Sequence, residues 1–296
     1  MTMNLFFFRR IYSYYMIDSL FLNSFITFVR RMEEDQNMTF LGHLEELRWR
    51  LVKIAISIVV FAIVLWFFQE WIMENLFLSM KDPDFITFQI ICNYLGVCVE
   101  EIPLGLQSMT MTGQFSFALM MSILGGVVLA FPFIFYQIWS FIKPGLKQNE
   151  KTISGGIVFY VSILFFLGIC FGYFIVAPLC VQFFGSYQIS KQLNNIFTIS
   201  SYMSMILSTI FYSGLLFLLP VIAYLFTKLG VITPVFLRKY RKHAIIGILI
   251  LSAVITPPDL ISQVIVGIPI AILYETGIFV SARIDKKMRI QRESNS

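Results

Sequence analysis

When the apolar runs of this 296-residue chain are read as six membrane spans, all but two of its 22 lysines and arginines fall on one side. Only Lys81 and Lys191 lie opposite. Retention of Lys and Arg on the cytoplasmic side of a bilayer produces such segregation, and loops of random composition do not. With 58% hydrophobic and 13% charged residues, the chain has too little polar surface to coat a soluble domain of its length. The fold class expected is therefore an all-α integral membrane protein of the bacterial inner membrane, with both termini cytoplasmic. The net charge of +5 does not point to nucleic acid, because the basic residues flank apolar runs and act as topology determinants.

A helix crossing about 30 Å of hydrocarbon needs about 20 mostly apolar residues. The runs that qualify are Leu51–Phe68, Phe115–Ile142, Ile157–Cys180 and Tyr202–Phe226, with spans five and six in the hairpin Ala244–Val280. That hairpin is short. The apolar run of span five, Ala244–Ile255, reaches about 18 Å, and that of span six covers only Val264–Tyr274. Two full spans and a re-entrant hairpin both return the basic C-terminal segment to the same side, so charge alone does not separate them. Residues 1–37 read as an N-terminal extension, 38–285 as the membrane domain and 286–296 as a basic cytoplasmic tail. Phe6–Val29 is leader-like but interrupted by Asp18 and Asn23. Translation is expected to begin at Met32 or Met38, the alternative being an extra interfacial helix.

The first outer loop, 69–113, sets Glu70, Glu74, Asp82, Asp84, Glu100 and Glu101 against Lys81, and is long enough to fold as a cap. Cys92 and Cys98 share it in a compartment that permits disulfides, which leaves a bridge between them open. Cys170 and Cys180, within or at the end of a span, read as small packing residues. Trp49, Trp66, Trp71 and Trp139 fall near span ends, as an aromatic belt does. Pro132, Pro178, Pro220 and Pro269 mark expected kinks.

The motifs of soluble enzymes are absent, with no phosphate-binding loop, zinc-protease helix or nucleophile elbow. The expectation is a protein that is not an enzyme and carries no metal or cofactor. His43 and His243 read as solvated boundary residues. Glu46, ahead of span one, and Glu150, between spans two and three, are carboxylates set among basic residues. Pairing with Arg50 or Lys147 would be a weak surface interaction. A pair of carboxylates is also a natural receptor for a pair of arginines, whose guanidinium forks match them bidentately. Gln263 and Glu275 lie within span six, where polar groups are costly and so mark candidate functional positions. Glu275 precedes Arg283 by about 12 Å of helix, within reach of the cytoplasmic interface.

His43-Leu44-x-Glu46-Leu47-Arg48-x-Arg50-Leu51 opens a longer pattern. It continues in Phe131-Pro132, Phe141-Ile142-x-Pro144-Gly145-Leu146 with Glu150, Gly172-Tyr173-Phe174 before Pro178-Leu179, and Thr256-Pro257-Pro258-Asp259 with Ser262-Gln263 and Ile268-Pro269. In this order and between these spans, the chain resembles the TatC family over about Phe40–Asp285. That family is the multi-span core of the twin-arginine protein translocase. The resemblance implies six helices in a concave, cupped arrangement with short helices five and six. It implies that Glu46 and Glu150, with Arg48 beside them, receive the paired arginines of signal peptides on folded cargo, with work drawn from the proton gradient. It further implies that single-span partner subunits dock on the polar patch carrying Thr256 and Gln263. Glu275, the ionisable residue of the same span, is grouped with them. Hetero- and homo-oligomers within membrane lipid follow from the same resemblance. One departure stands out: the polar residue that the family often places before the span-four proline is here Leu219, ahead of Pro220, and Tyr212, Ser208 or Thr209 are the substitutes at hand.

The rival reading is a small-molecule or ion transporter. It requires paired ionisable groups at the bilayer midplane, and span six offers only Glu275, off centre.

Overall fold

A bilayer core offers no water to unpaired backbone groups, so apolar runs of this length close on themselves as helices. The computed structural model describes residues 40–96, 105–142, 154–188, 190, 196–228, 230–255 and 260–293. In chain order its elements are α1 (Phe40–Phe67), α2 (Gln69–Ile72), α3 (Ile86–Leu95), β1 (Gly105–Gln107), α4 (Gly113–Ile142), α5 (Ser154–Phe171) and α6 (Ala177–Ser186). They continue with β2 (Ile196–Thr198), α7 (Ile199–Leu216), α8 (Leu219–Lys228), α9 (Pro234–Lys239), α10 (Arg241–Ile255) and α11 (Leu260–Glu293). A π-helical stretch, Met73–Phe77, extends α2, and a second, Gly172–Val176, joins α5 to α6. Two units divide the chain, Met1–Trp49 and Arg50–Ser296. The described part of the first is the opening of α1.

Among the described residues, 5 helical segments are long and apolar enough to cross a membrane: Leu44–Phe67, Gly113–Ile142, Gly156–Ser186, Ile199–Lys228 and Gln263–Lys286. The sixth apolar helix, α10, has 15 residues and is about 22 Å long, short of the hydrocarbon thickness. Helix α11 is short in its uninterrupted apolar run but not in its helical length, which continues unbroken through Glu275 to Glu293.

Within α1 only 6% of the apolar window is buried, against 39% for the segment through α5 and α6. Exposed apolar side chains carry no penalty in lipid, so a peripheral first span is stable there. Helices α5 and α7 lie so close that only glycine fits: a Cβ on Gly168 would stand 2.8 Å from the Gly214 Cα, and one on Gly172 2.8 Å from the Ser213 Cβ. Lipid tails provide no hydrophobic drive to join helices, and small residues four apart supply van der Waals contact in its place.

The first long loop folds as a cap. Phe77, Met80, Phe85 and Phe88 are buried against Phe117, Met121, Ala177, Val181, Tyr202 and Met203. Its attachment follows from a missing donor. Pro178 has no N–H, so the Phe174 carbonyl one turn earlier lacks its usual partner. Thr87 of α3 donates its hydroxyl to that carbonyl. Tyr173 donates to the Leu76 carbonyl and Tyr202 to the Phe77 carbonyl, each at 3.0 Å. Both acceptors lie in the π-helical stretch, where the α-helical ladder is interrupted. Strands β1 and β2 pair in parallel, Leu106 opposite Phe197, and tie this loop to the one before α7. This ribbon is the β-structure that the helical reading lacked.

Two of the four prolines break their helices as expected: Pro178 follows the π-turn, and Pro220 follows the break between α7 and α8. Pro132 and Pro269 sit inside continuous helices. Trp49 and Trp71 are exposed, as belt residues are, but Trp139 is a correction to that expectation. Only 3% exposed, it stacks on Phe135 at 6.3 Å with the Lys228 ammonium 5.8 Å from its ring centroid. Its Nε1 is buried without a hydrogen-bond partner. Cys92 is disulfide-bonded, and Cys170 and Cys180 remain thiols. Cys98 lies outside the described residues.

Candidate functional site

Glu46 and Arg48 lie on the opening turns of α1, where the chain is already helical before its apolar run begins. Glu46 is half-buried, while Glu45, Arg48 and Trp49 are exposed. Glu150 and Thr256 fall outside the described residues.

In the larger unit, the end of the molecule bearing the basic loops contains a polar pair that the sequence reading missed. Arg50 Nη1 donates to Gln137 Oε1 at 3.2 Å, joining α1 to α4. Gln137 is 2% exposed. A buried amide in a membrane helix needs a partner to offset its desolvation, and a charged donor supplies a strong one. The signal available was one glutamine inside the apolar run Phe131–Ile142. Two residues further on, Trp139 lies beneath Lys228, which also donates to the Tyr224 hydroxyl at 3.4 Å.

Both described members of the span-six patch are engaged with the preceding hairpin helix. Gln263 Nε2 donates to the Leu249 carbonyl at 3.1 Å, and Glu275 Oε2 pairs with Arg241 Nη2 at 2.7 Å. Tyr274 donates to the Leu237 carbonyl at 2.8 Å, so α9, α10 and α11 are joined at the basic end. Gln263 and Glu275 stand about 18 Å apart on α11, and they hold α10 at its first residue, Arg241, and near its middle, at Leu249. Deeper contact comes from Ser252 of α10, fully buried, and from the Thr227 and Ser281 hydroxyls, 2.7 Å apart between α8 and α11. Among the described residues no group of His, Cys, Asp and Glu has the arrangement to hold a metal ion.

Residues 42–269 match the family model of the Sec-independent protein translocase protein, TatC. The chain belongs to the TatC family. A TatC protein of Blattabacterium from Periplaneta americana is 37% identical over an alignment of 263 residues, covering 86% of this chain and 98% of that relative. TatCy of Bacillus subtilis is 34% identical over 251 residues, covering 85% of this chain and 91% of its own. A crystal structure of the twin-arginine translocase receptor TatC, solved in the detergent DDM, superposes with a TM-score of 0.63 at 30% identity. It covers 81% of this chain and 99% of that one. As a TatC family member, the chain is a membrane-embedded component of a Sec-independent protein translocase.

Proposed function

We propose that this chain is the receptor subunit of its translocase, recognising twin-arginine signal peptides on folded cargo at the cytoplasmic face of the inner membrane. Both termini would face the cytoplasm, as the Lys/Arg segregation requires. Glu46 and Glu150 take one arginine each through charge-assisted hydrogen bonds, and Arg48 orders the carboxylates between engagements. The signal's apolar segment then lies along the helices, and single-span partner subunits dock on the surface around Thr256, Gln263 and Glu275. The proton gradient supplies the work.

The observation that carries this reading is the 30% identity to a solved twin-arginine translocase receptor across nearly the whole of that chain. The motif around Glu46 supports it, since the carboxylate lies within the helix that leads into the first span. Photo-crosslinkers placed at Glu46 and Glu150 test it directly. The expected product is an adduct with a signal peptide that carries Arg-Arg, lost with Lys-Lys. Adducts that ignore that exchange would refute the assignment.

A further inference from the structure

At the end of the molecule away from the basic loops, the short α2 and the ends of α1, α4 and α7 line an open cleft of about 520 Å³. Trp66 and Phe115 stand against each other edge to face, ring centroids 5.7 Å apart, and both line it. Buried Phe117 and Met121 also line it as an apolar wall. Three polar residues also line it: Gln69, half-buried, and Glu70 and Gln114, both exposed at its rim. Among the described residues none of the three has a hydrogen-bond or ion-pair partner.

These groups specify their ligand. A cleft lined by both a carboxylate and an indole favours a cation, by charge and by the ring quadrupole. Two amides add N–H donors for phosphate oxygens, and the aromatic and methionine wall takes apolar chain. Because the cleft sits at the ends of membrane-spanning helices, it lies at headgroup level, where tryptophan is also favoured. Its volume falls in the range of small-ligand sites. An anionic headgroup without an ammonium would set its phosphate against Glu70, a like-charge contact.

We propose that this cleft is a headgroup site for a phospholipid carrying a primary ammonium. Native mass spectrometry of the full chain, given phosphatidylethanolamine or phosphatidylglycerol, tests it. The expected result is retention of phosphatidylethanolamine about tenfold above phosphatidylglycerol, reduced to the phosphatidylglycerol level by Glu70→Gln. Glu74→Gln, on the same loop but not lining the cleft, should retain the lipid as the unmodified chain does. Equal retention of the two lipids, or undiminished retention by Glu70→Gln, would overturn the proposal. Displacement by soluble glycerophosphoethanolamine would overturn the lipid assignment, moving the site to soluble amines.

Discussion

Thr87 and Pro178 act as one unit although they are far apart in sequence: the hydroxyl of one serves the carbonyl that the other leaves without a donor. Thr87→Val should lower stability by about 1 kcal/mol, the cost of leaving a part-buried carbonyl without its donor. Adding Pro178→Ala restores a helix N–H, so the double variant should recover part of the loss in detergent thermal unfolding. Simple addition of the two losses would contradict the account. Gln137 poses a similar question at the basic end. Gln137→Leu removes the acceptor of a charged donor and should cost about 1.5–3 kcal/mol, read by the same measurement. Stability unchanged within error would show that this hydrogen bond contributes nothing net. Both contacts were invisible in the sequence, since each couples residues 87 positions apart. A lone Thr in a loop or a lone Gln in a span does not name its partner.

The helices themselves were legible because apolar length is a local property. Their packing was legible only where residue size dictates it, as with Gly168 and Gly172 against α7. Gly168→Val forces side-chain atoms into the Gly214 and Phe217 positions, so the variant should fail to accumulate as folded protein in membranes. Normal accumulation would mean that α5 and α7 separate freely. The hairpin depends on a different contact. The shortness of α10 was readable from the run of only 12 residues between His243 and Thr256, but its tether to α11 through Arg241 and Glu275 was not. Glu275 was assigned from sequence to partner docking, yet its carboxylate is also a contact within the chain. The pair is about half exposed, so its loss should cost no more than about 1 kcal/mol. Export assays separate the two roles. If Glu275 acts by holding α10, the reversed pair Arg241→Glu with Glu275→Arg should export as the original does, while Glu275→Arg alone should not. Failure of the reversed pair would leave the carboxylate itself as the functional group.

For the molecule as a whole, the family was present in the sequence, in motifs ordered between spans, and the proposed topology rests on where lysine and arginine fall. The proposed receptor carboxylates rest on the same kind of signal: Glu46 and Glu150 are named from their motif positions and not from any distant contact. The cleft at the opposite end was not legible, since Trp66, Glu70, Gln114 and Ile199 meet only once α1, α2, α4 and α7 have assembled. The receptor reading is the central claim, and binding measures it most directly. The purified chain should bind a signal peptide with paired arginines more tightly than its paired-lysine variant. Glu46→Ala and Glu150→Ala should each weaken that binding by about 1–3 kcal/mol and remove the preference. Equal affinity for the two peptides, or indifference to both substitutions, would contradict it.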